Sequence, residues 1–265
     1  MANRIDKVVI FAGGRGTRLA ELTDVTPKPL VEIGGEPIII HIMRHFYRHG
    51  YREFIIPIGY RSMDFKRFFR DYLLKNRDVT FNGENHDTMT VHQPERTEDW
   101  IVHLVETGLN SDTGQRLHYV RDYIGDEPFF LTYGDTLSDV DLHEVEEAHF
   151  SRPEGNLATL TAATKGERFG VLDIGDQDDV GTIRKFSEKT AEKSSLINGG
   201  FMACNPEILD RVDENTGDFS HETMTDLSLE GKMSFYAHYG FWHPMDSKND
   251  HNKLEELYLS RPELF

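Results

Sequence analysis

Cysteine is almost absent from these 265 residues: Cys204 stands alone. One thiol excludes an intrachain disulfide framework and suits a reducing compartment. It lies in Gly200-Phe201-Met202-Ala203-Cys204, an apolar strand-like run where a thiol is a core residue rather than a nucleophile. Basic residues are in deficit, 29 Lys and Arg against 46 Asp and Glu, for a formal charge of −17. That balance argues against a broad nucleic-acid surface, although one local group of cations can still make a positive pocket in an acidic protein. Long hydrophobic runs are missing too. No apolar stretch approaches the roughly 20 residues of a membrane span. Met1 leads through Arg4, Asp6 and Lys7 into the first strand without the apolar core of a signal peptide. The expectation is a cytoplasmic protein with neither membrane nor nucleic acid as partner. Internal repeats, low-complexity tracts and long linkers are also lacking, which favours one contiguous fold.

What the chain has is one dense motif. Val8-Val9-Ile10-Phe11 runs into Ala12-Gly13-Gly14-Arg15-Gly16-Thr17-Arg18, and Thr26-Pro27-Lys28-Pro29 follows closely. An apolar strand ending in glycines lets backbone N–H groups approach an anion, and the next helix N-terminus adds partial positive charge. Arg18 and Lys28 supply cations at two fixed distances. A glycine turn that merely links strand to helix does not need them. A P-loop ends in Gly-Lys-Ser/Thr, and here Gly16-Thr17-Arg18 stands instead. A dinucleotide fingerprint requires a third glycine where Leu19 blocks close helix packing. The motif is a phosphate cradle for a nucleotide or another polyphosphate.

Strands and helices alternate through the first half. Lys7–Ala12, Glu53–Ile58, Val79–Phe81, Ile101–Glu106 and Pro128–Thr132 read as strands. Ile38–His49, Asp64–Lys75, Leu117–Ile124 and Asp141–Phe150 read as helices, the last capped by Asp139 or Asp141. Such alternation predicts an α/β fold with a doubly wound, mostly parallel, Rossmann-like sheet, whose ligands bind at the strands' carboxyl ends. From about residue 155 the pattern turns β-rich: Ala158–Ala163, Gly170–Ile174, Ile183–Glu188, Gly200–Asn205 and Met233–His238 as strands, with acidic turn material at Asp176–Asp179. Ile208–Val212, Glu222–Leu229 and Asp250–Ser260 read as helices. The polar stretch Asn82–Asp99 reads as a loop or protruding hairpin.

Asp135 follows the strand Leu131-Thr132-Tyr133-Gly134 at the expected ligand edge, and Asp246 closes Trp242-His243-Pro244-Met245. Either alone is more often a cap or turn residue. Beside a phosphate cradle they become candidate Mg²⁺ ligands, since that ion takes one or two carboxylates plus phosphate oxygens and water. His41, His45 and His49 recur at four-residue spacing and mimic a zinc site, but no acidic or Cys partner stands at ligand spacing, so a helix-face or subunit-contact role is favoured. The Phe65, Phe68, Phe69, Tyr72 set reads as helix core.

The chain resembles the sugar-1-phosphate nucleotidyltransferase family over nearly its whole length. Residues 13–19 match G-G-x-G-T-R-L and residues 27–29 match P-K-P. Further blocks are Lys28–Gly35, His41–Met43, Thr113–Leu117, Thr132–Asp135, Arg168–Ile174, Ile197–Phe201 and Gly240–Asp246. The resemblance implies a nucleotidyltransferase A-type fold and transfer of CMP from CTP to a sugar 1-phosphate, α-D-glucose 1-phosphate foremost, with Mg²⁺. It implies that Phe11, Ala12, Gly13, Gly14, Arg15, Gly16, Thr17, Arg18, Lys28, Ser111, Thr113 and Arg116 bind the nucleotide. Tyr133, Gly134, Glu188, Lys189, Asn198 and Gly199 would bind the sugar phosphate, the last pair as a turn. Arg18, Lys28 and Asp135 would carry catalysis, and Asp135 and Asp246 the metal. Residues 1–150 would form the nucleotide half and 151–265 the sugar-phosphate half of one domain, in a homo-oligomer. Transfer of thymidylyl or uridylyl groups, a different phosphorylated acceptor, or a non-catalytic sensor on the same fold are the alternatives. Three positions depart from the family pattern: Gln115 and Thr136 each replace a glycine, and Thr190 replaces a proline.

Overall fold

The computed structural model describes residues 4–14, 16, 26–72, 74–75, 77–82, 89–92, 98–164, 171–173, 180–182, 185–187 and 196–265. Its strands are β1 (Lys7–Phe11), β2 (Glu32–Ile33), β3 (Glu36–Pro37), β4 (Glu53–Ile58), β5 (Asp78–Phe81), β6 (Met89–His92), β7 (Ile101–Glu106), β8 (Phe129–Tyr133), β9 (Thr136–Ser138), β10 (Ala158–Thr164), β11 (Val171–Asp173), β12 (Val180–Thr182), β13 (Lys185–Ser187), β14 (Leu196–Cys204), β15 (Met233–His238) and β16 (Trp242–Pro244). The helices are α1 (Ile38–Arg48), α2 (Ser62–Tyr72), α3 (Thr113–Tyr119), α4 (Arg121–Ile124), α5 (Leu142–Phe150), α6 (Thr223–Leu229) and α7 (Lys248–Ser260).

The period-two alternation of β1 explains the layering. Val8 and Ile10 point into one apolar cluster and Val9 and Phe11 into another. Phe54, Ile56 and Ile58 of β4 likewise face the first cluster, while Ile55 faces the second. Helices α1, α2, α5 and α7 feed the first cluster, with Ile39, Phe65, Val145 and Leu254 buried in it. Helices α3, α4 and α6 feed the second through Leu117, Ile124 and Met224. A strand buried on both faces needs helices on both sides, which is the doubly wound α/β arrangement expected.

Central strands β7, β4, β1 and β8 run parallel in that spatial order, with Val9 paired to both Ile55 and Leu131. Antiparallel β14 joins β8 to β10, so the β-rich second half extends the same ten-stranded sheet. Because β1 lies between β4 and β8, the connections leaving it part company there, the topological switch point where α/β sheets bind ligands.

Several boundaries differ from the sequence reading. The helix expected at 117–124 is two, α3 and α4, separated at Val120, and α3 starts earlier because Asp112 and Gln115 form a capping box. Asp141, not Asp139, caps α5, accepting from the amides of His143 and Glu144. Residues 206–211 form a 3-10 helix. Asn198 and Gly199 lie inside β14 rather than in a turn: the register slips between Leu160 and Ala162, and Gly200 at φ +85° lets the strand bulge there. Short strands β2, β3, β9 and β16, two or three residues each, escaped periodicity. In the polar segment, β6 pairs antiparallel with β5, which lies just before the segment. Its residues 83–88 and 93–97, the Arg168–Gly170 block, Asp176–Asp179 and Thr190 lie outside the described residues.

Cys204 is buried, as expected, and burial pushes its thiol pKa up. Phe65 and Phe69 are core, with Phe68 and Tyr72 packed against it. His41 meets the carbonyl of Ile33 at 2.9 Å and stacks edge-on with Phe265, while the ring of His45 on α1 lies 4.8 Å from that of His49 at its C-cap. Among the described residues no group of three His, Cys, Asp or Glu is arranged for a metal, and no helix is long and apolar enough to cross a membrane.

Two buried histidines carry a pH prediction. Burial pushes His149 down to about 4, and burial together with neighbouring His49 pushes His45 down to about 3. Unfolded, both titrate near the ordinary 6.5, so below that pH the unfolded chain binds more protons than the native one. Stability is therefore expected to fall as pH drops from about 6.5 toward 4, by at most about 1.4 kcal/mol per pH unit for each group. Urea midpoints measured across that range check this; His149→Gln should flatten the slope, and an unchanged slope would clear His149 of a part in it.

Candidate active site

At the carboxyl edge of β1 and β8 lies a cavity of about 350 Å³. Phe11, Ala12, Gly13, Gly14 and Gly16 line it from the glycine turn, Ser111, Thr113 and Arg116 from the start of α3, and Tyr133, Gly134 and Asp135 from the end of β8. Lys28, Pro29, Asp112 and Asp246 complete the wall. Residues spread over 236 positions of sequence thus meet in one place because parallel strands end together. The Gly134 amide donates to the Phe11 carbonyl at 2.9 Å, continuing the β1–β8 pairing past the strands and tying the two turns together.

The charge centre of the cavity is Lys28. Its Nζ donates to Asp135 Oδ2 at 2.6 Å and to Asp246 Oδ1 at 2.7 Å, with the lysine side chain 12% exposed. Burial works to lower its pKa, but the charges and hydrogen bonds of Asp135 and Asp246 outweigh that and hold it above the ordinary lysine value. It is a cation at every physiological pH. The two carboxylates are set by one small ribbon. Asp135 immediately precedes β9 and Asp246 follows β16 by two residues; β9 and β16 pair antiparallel with Thr136 opposite Pro244, and the Met245 amide donates to the Asp135 carbonyl at 2.8 Å. Two carboxylates that already share one cation, with no third acid or histidine gathered there among the described residues, form a donor set suited to a hard ion that fills its shell with phosphate oxygens and water.

Arg116 sits beneath the glycine turn and is only 3% exposed. Its guanidinium donates to Thr107 Oγ1 at 2.6 Å and to the carbonyls of Gly13 at 3.0 Å, Gly108 at 3.1 Å and Ile58 at 3.4 Å. These acceptors stand where β1, β4 and β7 end, so one side chain staples three parallel strands at the ligand edge. Burial lowers its pKa against the pull of Asp112, but a guanidinium stays protonated. The glycine requirement at position 13 follows: a Cβ there would lie 2.2 Å from Arg116 Nη1.

The segment 213–222 of the second half clasps α3 and was not legible in advance. Gly217 accepts from the Gly114 amide at 2.9 Å, the Phe219 amide donates to Thr113 Oγ1 at 2.7 Å, and Glu214 accepts from Gln115 Nε2 at 2.7 Å. Gln115 thus serves both this clasp and its helix cap, which accounts for the side chain where the family pattern has glycine. Thr113 also donates to Asp218 at 3.3 Å, and Ser111 donates to the Thr107 carbonyl. Tyr133 packs its ring against Phe11, shares a hydrogen bond with Ser220 and meets Asn198 side chain to side chain. Burial pushes the phenol up to about 12, so Tyr133 is a hydrogen-bonding group and not a base. Asn198 and Gly199 do not line the cavity; Asn198 connects to it through Tyr133, and the Gly199 carbonyl accepts from Trp242 Nε1 at 2.7 Å. Arg15, Thr17, Arg18, Glu188 and Lys189 lie outside the described residues.

The family described as nucleotidyl transferase matches residues 7–242. The glucose-1-phosphate cytidylyltransferase of Salmonella typhi is 44% identical over 254 residues, covering 95% of both chains. The probable glucose-1-phosphate cytidylyltransferase of Bacillus subtilis (strain 168) is 39% identical over 254 residues, 95% of this chain and 96% of that one. Among solved structures, UTP-bound UGPase from Acinetobacter baumannii superposes with a TM-score of 0.75 at 16% identity, covering 98% of this chain and 96% of that one. At that identity the superposition speaks for the fold alone.

Proposed function

The chain belongs to the nucleotidyl transferase family, and on that premise we propose that it transfers CMP from CTP to a sugar 1-phosphate, α-D-glucose 1-phosphate foremost, releasing a CDP-sugar and pyrophosphate. The observation that carries this reading is the position of Lys28, held between Asp135 and Asp246 at the lip of the glycine turn. The nucleotide specificity is supported by relatives of the same length that bear the cytidylyltransferase name at 44% and 39% identity.

In this reading Asp135 and Asp246 hold a divalent cation, Mg²⁺ by the chemistry of the donors, which when bound neutralises charge on the α-phosphoryl group and the departing pyrophosphate. Lys28, always charged, balances the phosphates from the side of the carboxylates, and Arg18 of the glycine motif adds a second cation. The amides of Gly13, Gly14 and Gly16 face the nucleotide, with Gly13 fixed by Arg116. Ser111, Thr113 and Phe11 complete the nucleotide side. Tyr133, Gly134 and Asn198 with Gly199 serve the sugar phosphate, together with Glu188 and Lys189. The division into a nucleotide half, 1–150, and a sugar-phosphate half, 151–265, in one domain fits a sheet that runs through both.

The phosphate monoester oxygen of the acceptor is already ionised at neutral pH, so no general base is needed. It attacks the α-phosphorus in line, the bond to the β-phosphate oxygen breaks, and pyrophosphate leaves. Catalysis is positioning plus electrostatics, with no covalent enzyme intermediate. Isotope exchange tests this. Labelled pyrophosphate should enter CTP when CDP-glucose is supplied, and should not exchange into CTP alone. Exchange without any sugar phosphate would mean a cytidylylated enzyme, and no CTP formed from CDP-glucose would remove the assignment.

A further inference from the structure

We propose that Thr136 is a positioning residue for Asp135: its hydroxyl holds one oxygen of the carboxylate so that the other faces the cation centre. Thr136 Oγ1 donates to Asp135 Oδ1 at 3.2 Å, while Asp135 Oδ2 receives Lys28 at 2.6 Å. The two oxygens therefore have separate tasks. Lys28 fixes Oδ2 alone and leaves Oδ1 to a second contact. A carboxylate torsion is broad and roughly two-fold, so without a second contact the Asp135 side chain turns easily.

Thr136 is well placed to resist that turning. It is β-branched and stiff at its first torsion, 5% exposed, and locked in β9 opposite Pro244, in the ribbon that also sets Asp246. The hydroxyl has a defined direction because its backbone does.

The inference rests on the proposed metal site, and its test separates the two. Mn²⁺ is titrated into enzyme carrying α,β-methylene-CTP, which cannot be transferred, and binding is followed by water-proton relaxation. Thr136→Val keeps the shape and removes the hydroxyl; its Mn²⁺ dissociation constant should rise about tenfold, the usual scale for losing a partner that orients a metal ligand. Thr136→Ser should stay within about twofold of the parent, because the donor is kept. Asp135→Asn should bind Mn²⁺ far more weakly than either. If Thr136→Val binds like the parent, or Thr136→Ser is as weak as Thr136→Val, the hydroxyl has no positioning role and the inference fails while the metal site stands. If Asp135→Asn binds Mn²⁺ like the parent, the metal site itself fails, and this inference with it.

Discussion

Asp135→Asn is expected to reduce Mg²⁺-dependent pyrophosphate release by about 10³-fold, the scale set by removing one preorganised electrostatic group from the centre of charge development. The fold should survive. The amide is isosteric; with its oxygen turned to Lys28 its NH2 donates to the Thr136 hydroxyl, and the backbone carbonyl of residue 135 keeps its bond from the Met245 amide. Lys28 keeps Asp246 as its ionic partner at 2.7 Å. The pair is partly exposed, so the stability change should stay within about 1 kcal/mol. Asp246→Asn should behave alike, since the carboxylates sit 2.6 and 2.7 Å from one ammonium. Undiminished turnover in Asp135→Asn, with an unchanged urea midpoint, would take this carboxylate out of the chemistry.

Arg116→Met is expected to damage stability instead. It strips the hydrogen bond from Thr107 Oγ1 and three backbone carbonyls in a region the side chain now seals. Gly13 keeps the Tyr60 amide and Ile58 keeps the Thr107 amide and hydroxyl, so the Gly108 carbonyl and Thr107 Oγ1 are the acceptors that lose their donor. At roughly 1–3 kcal/mol each, partly recovered by water and relaxation, a loss of about 3 kcal/mol is the expected outcome. Urea unfolding should show a lower midpoint with the slope unchanged. Arg116→Lys should fall between the two, because one ammonium cannot reach acceptors at the ends of three strands. A loss below about 0.5 kcal/mol would mean that the guanidinium does not brace the edge.

These two residues mark what was legible in the sequence. Lys28 and Asp135 could be read because their signals are local: a glycine turn with a cation at fixed spacing, and a carboxylate directly after an apolar strand. Asp246 was readable as a candidate but not its meeting with Asp135, which depends on a ribbon of three-residue strands too short for periodicity to reveal. Arg116 was expected to bind nucleotide, and it does line the cavity, yet its bonds run to residues 13, 58, 107 and 108. Partners that distant in sequence come together only when parallel strands end side by side. Strands β1 and β4 were readable as apolar runs, but which of their residues faces which layer shows only in the fold, and the bulge at Gly200 turned an expected turn into strand. Segment 213–222 carries no motif. Its hold on α3 is made largely by backbone groups, which every sequence has.

Cytidylyl transfer to a sugar 1-phosphate is read out by initial-rate pyrophosphate release. CTP, UTP, dTTP, ATP and GTP are each crossed with a panel of sugar 1-phosphates in the presence of Mg²⁺. The prediction is turnover with CTP and α-D-glucose 1-phosphate, with CDP-glucose and pyrophosphate formed one to one. Turnover confined to another nucleotide would contradict the cytidylyl assignment, and silence across the panel in folded protein would contradict catalysis and favour a sensor on the same fold.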